Sequence, residues 1–179
     1  MNNLIICDTR EKGNKKILEY FDKVGQDYIV SKLKSGDYML YKDYTTIIDK
    51  KDTLLELAGN LCNTLEHKRI NREIDRAKEL GCTNFIFLIQ DNKIKSSEDI
   101  KNWHSSYMPN LKGEVLLKIM NTMKERYGLR FMIVQKKEIG KTIIDILTKK
   151  WYNLIVEKQE KNLYECIGML LNNSTSAFI

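Results

Sequence analysis

The sequence lacks any apolar run long enough to span a bilayer, and its first residues show no signal-peptide pattern. Its four cysteines are scattered without a CxxC pair, which argues against a zinc site and against a disulfide framework. The two histidines, His67 and His104, are isolated, and a lone histidine is more often a surface or hydrogen-bonded residue than a metal ligand. These absences predict a cytoplasmic protein with no membrane partner.

The composition fits a globular protein with a basic surface. A chain of 179 residues with 42% hydrophobic and 30% charged residues can bury a sizeable core in one domain. The net charge of +6 suits a polyanion such as nucleic acid. Lysine and arginine are spread along the chain, however, and a solvated helix face is the simpler explanation of the surplus taken alone. The charge makes nucleic acid plausible as a partner without identifying it.

Strands and helices alternate along the sequence. Apolar and β-branched runs predict strands at residues 4–7, 27–33, 38–40, 44–48, 84–89 and 129–134. Apolar residues at helical spacing predict helices at 14–25, 54–61, 66–80, about 113–127 and 138–154. This alternation favours an α/β fold whose sheet is covered by helices. We place the domain at residues 1–155 and a helical extension with a tail at 156–179.

One predicted hairpin carries a chemical signal. The turn at residues 42–43 would set Asp37 and Asp49 side by side on two strands, with Lys51 two positions after Asp49. Neighbouring carboxylates bind a hard cation through oxygen, and a nearby lysine steadies an attacking water or a phosphate charge. Aspartate and lysine are also common in polar turns, so this pattern alone is weak.

The order of the surrounding motifs makes the pattern more specific. Along the chain come Asp-Thr-Arg-Glu at 8–11, Gly-Asp-Tyr at 36–38, Asp-Lys-Lys at 49–51, Leu-Leu-Glu-Leu-Ala-Gly-Asn-Leu at 54–61, Arg-x-x-Arg-Glu at 69–73 and the strand at 85–89. This succession resembles the nuclease domain of the XPF-type structure-specific endonucleases over roughly residues 3–155. The resemblance implies a restriction-endonuclease-like fold, with a central mixed sheet flanked by helices in a single domain.

The resemblance also implies a metal site. Asp37 and Asp49 would be the metal-binding carboxylates for Mg²⁺, with Mn²⁺ as a substitute, and Asp8 would be a further ligand, direct or through water. Lys51 would position the nucleophilic water and stabilise developing negative charge. Glu56, on the next helix, would support Lys51 or the waters on the metal.

Four basic residues would contact the DNA phosphates by the same resemblance. Arg10 and Lys50 would lie at the phosphate, and Arg10 could also orient the acidic residues. Arg69 and Arg72 belong to a helix expected to flank the site. A buried ion pair between Arg72 and Glu73 is the competing interpretation, and the sequence leaves both open.

The sequence departs from the family pattern at three points. The family's Glu-Arg-Lys is here Asp-Lys-Lys at 49–51, so the first carboxylate is one methylene shorter and the planar arginine is replaced by Lys50. The acidic residue that follows comes one position late, at Glu56. The tandem helix-hairpin-helix domain of eukaryotic and archaeal relatives has no counterpart here. Compact versions of the family resemble phage or bacterial proteins of recombination and DNA processing, so a phage origin would place the protein in the host cytoplasm.

The late helix suggests a second copy of the chain as a partner. Ile143, Leu147 and Trp151 fall on one apolar stripe, which the resemblance assigns to pairing of nuclease domains. A core-facing helix is the alternative. We expect a homodimer slightly ahead of a monomer.

The sequence thus predicts a Mg²⁺-dependent endonuclease that hydrolyses phosphodiester bonds in branched or structured duplex DNA, in repair or recombination. The alternative from another class is a catalytically weak or inactive nuclease-fold module that binds DNA or a partner enzyme. A nuclease for RNA or for single strands is a third possibility, since the same site could serve it.

Overall fold

A computed structural model describes residues 3–148 of the chain. They form a six-stranded sheet in the order β2-β1-β3-β4-β5-β6, with helices packed against it. The strands are β1 Ile5–Cys7, β2 Tyr28–Val30, β3 Tyr38–Leu40, β4 Asp43–Lys51, β5 Asn84–Gln90 and β6 Arg130–Val134. The helices are α1 Lys15–Val24, α2 Leu54–Cys62, α3 Thr64–Glu79, α4 Ser97–Lys101, α5 Gly113–Tyr127 and α6 Ile139–Leu147, with a short 3₁₀ turn at Lys136–Glu138.

The sheet is mixed, as expected. Strands β1 and β2 pair in parallel, and so do β4, β5 and β6, whereas β3 runs antiparallel to both of its neighbours, β1 and β4. The carboxyl ends of β1, β4, β5 and β6 therefore meet at one edge of the sheet, together with the amino end of β3. The predicted fold class, a central mixed sheet flanked by helices, is confirmed.

The main core lies between one face of the sheet and helices α2, α3 and α5. Alternate residues of a strand point to opposite faces, and Ile47 and Phe87 are fully buried on this side, against Leu57 of α2 and Leu116 of α5. Burying each such side chain contributes roughly 1.5–3 kcal/mol. The opposite face is buried too, because Ile48 is 0% exposed.

The chain divides into two compact units, residues 1–144 and 145–179, and only 145–148 of the second unit are described. The predicted boundary at residue 155, the extension at 156–179 and Trp151 lie outside the described residues. Ile143 of α6 is fully buried within the single chain, as a core-facing helix requires, and the homodimer stays a prediction. Within residues 3–148, no helix combines the length and the apolar character that crossing a membrane requires.

Candidate active site

The predicted hairpin brings Asp37 and Asp49 to the shared edge of the sheet. Strands β3 and β4 pair with Tyr38 opposite Ile48, so the residue before β3 lies beside the end of β4. The backbone N–H of Asp37 donates to the carbonyl of Ile48 at 2.8 Å, and Oδ2 of Asp37 accepts from the backbone N–H of Lys50 at 2.7 Å. The backbone of β4 thus fixes the Asp37 carboxylate at the carboxyl end of that strand.

Asp49 and Lys51 form a buried ion pair on the same face of β4. Their side chains are about 5% exposed, and Nζ of Lys51 lies 2.5 Å from Oδ1 of Asp49 and 5.6 Å from the ring centre of Phe87. Burial alone would lower the pKa of Lys51, but the negative charges of Asp49 and Asp37 raise it above its ordinary value, so the amine is protonated. Besides Lys51, no group of residues 3–148 donates a hydrogen bond to Oδ1 of Asp49.

Negative charge is in excess around the two aspartates. Burial raises the pKa of Asp37, and the charges of Asp49 and Glu11 raise it further. Burial also raises the pKa of Asp49, against the opposing charge of Lys51. Both carboxyl groups are therefore harder to ionise than usual, and a bound metal ion would offset that cost.

The donor set fits Mg²⁺ in composition. Carboxylate oxygens are the hard ligands that this ion prefers, and it is usually held by only one or two carboxylates, with waters and substrate phosphates completing the octahedron. Asp37 and Asp49 meet that requirement in number and in ligand type. Across residues 3–148, however, no group of three or more His, Cys, Asp or Glu side chains is arranged to hold a metal ion.

Asp8, which the sequence suggests as a further metal ligand, direct or through water, lies in a dense hydrogen-bond network. Its carboxylate is 1% exposed and accepts four hydrogen bonds: from the backbone N–H, Nε and Nη2 of Arg10 at 2.7–2.8 Å, and from the backbone N–H of Leu33 at 2.6 Å. Nη2 of Arg10 also donates to the carbonyl of Leu33 at 3.0 Å. Both oxygens of Asp8 are thus engaged in joining the loop after β1 to the loop after β2. Arg10 remains 59% exposed, where it can also meet a phosphate.

Lys50 lies where the strand alternation puts it, on the opposite face of β4 from Asp49 and Lys51. Its side chain is 2% exposed, and Nζ lies 3.0 Å from Oε1 of Glu11 and 2.6 Å from Oδ1 of Asp52. This buried amine is neutralised by two carboxylates, so the described arrangement does not present it to a DNA phosphate, in contrast to the expectation.

Helix α3 supports the turn that carries Asp37. Oε1 of Glu73 accepts from the backbone N–H of Gly36 at 3.0 Å, and the hydroxyl of Ser35 donates to the carbonyl of Glu73 at 2.8 Å. Arg69 pairs with Glu73 at 3.3 Å and contributes to the charge felt by Asp49. Arg72 is exposed and donates to the carbonyl of Lys68 at 3.3 Å. Glu73 therefore has a positioning role that neither sequence interpretation included.

Gly36 is required by the close packing of this turn. Its φ is +66°, and a Cβ there would lie 2.3 Å from Cγ2 of Ile47 and 2.9 Å from the carbonyl oxygen of Ile48. We expect Gly36→Ala to lower the free energy of unfolding by about 2–4 kcal/mol, because both strain and overpacking result. Urea denaturation followed by circular dichroism measures the loss.

Gly25→Ala is the matched control for Gly36→Ala. Gly25 has a similar φ of +69°, but nothing lies within 4 Å of the added Cβ. The free energy of unfolding of the control should fall by only about 1 kcal/mol, which is the cost of the backbone conformation alone. Equal losses in the two variants would contradict the packing argument.

Glu56 lies close to Lys51, as expected. Its Oε1 is 4.0 Å from Nζ of Lys51, and its Oε2 accepts from the backbone N–H of Asp52 at 2.8 Å. Thr53 caps α2 by accepting from the backbone N–H of Glu56 at 3.1 Å. The start of α2 thus holds a partly exposed carboxylate next to the catalytic lysine candidate.

Comparisons with known proteins agree with the fold described above. A solved structure of XPF from Aeropyrum pernix matches with a TM-score of 0.57 and 17% sequence identity, covering 82% of this chain and 69% of that chain. XPF from Aeropyrum pernix in complex with DNA matches with a TM-score of 0.58 and 16% identity, covering 83% of this chain and 66% of that chain. The chain thus spans about two thirds of each solved chain, and at these identities the likeness is one of fold.

Comparison with curated protein sequences gives no significant match. The family model described as the ERCC4 domain matches residues 7–144, which contain strands β2 to β6, the last residue of β1 and all of the catalytic candidates. The chain therefore belongs to the ERCC4 domain family of nucleases.

Proposed function

We propose that the protein is a metal-dependent endonuclease that hydrolyses phosphodiester bonds in branched or otherwise structured duplex DNA. The observation that carries this proposal is the cluster of Asp37, Asp49 and Lys51, with Nζ of Lys51 2.5 Å from Oδ1 of Asp49 at one edge of the sheet. A buried, charge-rich cluster of this kind costs stability and is typical of a catalytic site.

Asp37 and Asp49 would hold Mg²⁺ or Mn²⁺, and Asp8 would act by positioning rather than by direct ligation. When bound, the ion supplies an activated water and stabilises negative charge on the phosphate. Lys51 is protonated and would donate to a nonbridging phosphate oxygen or orient the water nucleophile. Arg10 and Arg69, both partly exposed, would contact the neighbouring phosphates, and Glu56 would keep Lys51 in place.

Nucleic acid as the substrate is supported by family membership and by the net charge of +6, and the proposed preference for branched DNA rests on the resemblance to the XPF-type endonucleases. An XPF relative has been solved with DNA, which supports DNA as the polymer. We propose pairing of two copies through the late helices as the way in which a compact chain engages two arms of a branch.

A cleavage assay on a panel of substrates tests the proposal. Flaps, forks, Holliday junctions and linear duplexes are incubated with the protein in Mg²⁺ and in EDTA. We expect cleavage of at least one branched substrate in Mg²⁺ alone, and a loss of about 10²–10³-fold in Lys51→Met, which keeps the stem length and removes the charge. Lys95→Met, a substitution outside the site, is the control and should cut like the parent. Cleavage by Lys51→Met at the parent's rate would contradict the assignment of the site.

One observation favours a non-catalytic DNA-binding module as the second candidate. Among residues 3–148, no group of three or more His, Cys, Asp or Glu side chains is arranged to hold a metal ion. Isothermal titration with Mg²⁺ and Mn²⁺ separates the two functions: an enzyme gives a binding heat that Asp37→Asn removes. A module without catalysis gives no such heat, yet still binds DNA in a gel-shift assay.

A further inference from the structure

The edge of the sheet that carries the aspartates continues past them to β5 and β6. The loops after these two strands are joined, because the backbone N–H of Asp91 donates to the carbonyl of Val134 at 3.0 Å and that of Lys136 donates to Oδ1 of Asn92 at 3.0 Å. The two loops therefore form one rigid rim next to the carboxyl end of β4.

Two clefts lie along this rim and share lining residues. The first, of about 730 Å³, begins at Asp52 and Thr53, directly after Lys51, and extends past Trp103 to Asn92 and Lys136. The second, of about 500 Å³, is also lined by Asn92 and Lys136. The shared residues make the two clefts neighbours, so one path along the rim links the catalytic candidates to the second cleft.

The second cleft is basic. Lys16, Lys136 and Lys137 line it, and no carboxylate of residues 3–148 does. None of these three lysines has an ion pair within residues 3–148, whereas Lys50 and Lys51 are both paired with carboxylates. Three unpaired ammonium groups around a cleft of this size create a local potential that attracts phosphate groups.

The floor of the basic cleft is closely packed. Tyr20 of α1 and Gly140 of α6 both line it, and a Cβ added at Gly140 would lie 2.7 Å from Cδ1 of Tyr20. The glycine therefore lets the tyrosine ring lie against the start of α6. This contact fixes α1, which carries Lys16, relative to the turn that carries Lys136 and Lys137.

We propose that the basic cleft binds the phosphate backbone of the DNA substrate on one side of the cleavage point. This inference rests on the proposed function and adds the substrate contact on the β6 side of the site. Strand β6 is two positions from β4, about 10 Å at the usual spacing between strands. If the scissile phosphate of the DNA lies at Lys51, the phosphates that contact the lysines of the basic cleft would be at least about three base pairs from it.

Equilibrium binding to a fluorescent DNA fork in EDTA, over a series of salt concentrations, tests the inference. We expect Lys16→Ala/Lys137→Ala to bind about tenfold more weakly than the parent, with the slope of log K against log salt reduced by about 2. Lys23→Ala/Lys124→Ala is the matched control. It removes the same charge from two exposed lysines near the opposite edge of the sheet, before β2 and β6 begin.

The outcomes separate this inference from the proposed function. Near-parental DNA affinity in Lys16→Arg/Lys137→Arg would support a charge contact. The circular dichroism spectrum and melting temperature of this variant check that it is folded. Equal affinities and salt slopes in the alanine pair and its control, with a parent that binds and cuts DNA, would overturn the basic cleft alone. A parent that neither binds nor cuts any DNA of the panel would overturn both proposals.

Discussion

Replacing Asp37 with asparagine should abolish DNA cleavage and raise the melting temperature of the metal-free protein. Asparagine keeps an oxygen for the backbone N–H of Lys50 and removes the repulsion that Asp37 has with Asp49 and Glu11. We expect a loss of activity of roughly 10³-fold or more. The gain in stability should be on the order of 1–2 kcal/mol, as is common when an active-site charge is neutralised. Calorimetry in EDTA and a cleavage assay in Mg²⁺ measure the two effects.

The stability gain should depend on pH in a defined direction. Burial and the neighbouring charges raise the pKa of Asp37 to about 8 in the folded state, above the ordinary value of roughly 4 in the unfolded chain. Ionisation is therefore less favourable in the folded protein, and the parent loses stability relative to Asp37→Asn as the pH rises from about 4 to 8.

Asp75→Asn removes the same charge at an exposed position of α3, outside the site, and is the control for Asp37→Asn. A variant Asp37→Asn that is less stable than the parent at pH 8 in EDTA would refute the electrostatic account of the site.

Replacing Asp8 with asparagine should have the opposite effect on stability. The carboxylate accepts four hydrogen bonds while almost fully buried, and an amide cannot accept on both sides, so a donor is left unpaired. We expect the free energy of unfolding to fall by about 2–4 kcal/mol. Most of this loss would come from the buried N–H of Leu33, because the partly exposed side chain of Arg10 can hydrogen-bond to water instead. The midpoint of urea denaturation at constant m-value measures it.

The pH dependence of Asp8→Asn checks its cause. Burial alone would raise the pKa of Asp8, but the hydrogen bonds from Arg10 and Leu33 lower it overall. A carboxyl group whose pKa is lower in the folded state than in the unfolded state stabilises the protein at pH values above its unfolded-state pKa. This stability is lost as the pH falls through the folded-state pKa, so the free energies of unfolding of parent and variant should converge in acid. Asp27→Asn, at an exposed position, is the control.

Titration of folded Asp8→Asn with Mg²⁺ separates positioning from ligation. Retention of the binding heat supports the positioning role. A variant of parental stability that has lost this heat would instead make Asp8 a metal ligand, as the sequence first suggested.

The sequence was sufficient for the parts of the site that depend on local pattern. The turn at 42–43 and the β-rich residues around it predicted that Asp37 and Asp49 would lie side by side on adjacent strands, and the structure has Asp37 directly before β3, beside the end of β4 that carries Asp49. Successive residues of a strand point to opposite faces, so the sequence also indicates that Lys50 and Lys51 lie on different faces of β4. The family motif, which treats the three residues at 49–51 as one unit, led to the phosphate contact for Lys50.

The remaining features depend on partners that are distant along the chain. The backbone N–H groups that engage Asp8 and Glu73 belong to Leu33 and Gly36, 25 and 37 residues away. Nothing in the local pattern identifies such a partner, because every residue except proline offers the same donor. The lysines at 136 and 137 likewise suggest only a solvated face until the loop after β5 and helix α1 are placed beside them.

The alternating lysines at the end of β4 also specify its alignment with β3 and β5. Lys50 meets Glu11 on one face, while Lys51 meets Asp49 on the other. A slip of one residue would move each amine to the opposite face and leave several buried charges without partners, at a cost of several kcal/mol. The buried charges therefore also select against misaligned strand pairings during folding. The neighbouring positions Ile47 and Ile48 of β4, and Phe85 to Ile89 of β5, are apolar on both faces and would tolerate such a slip.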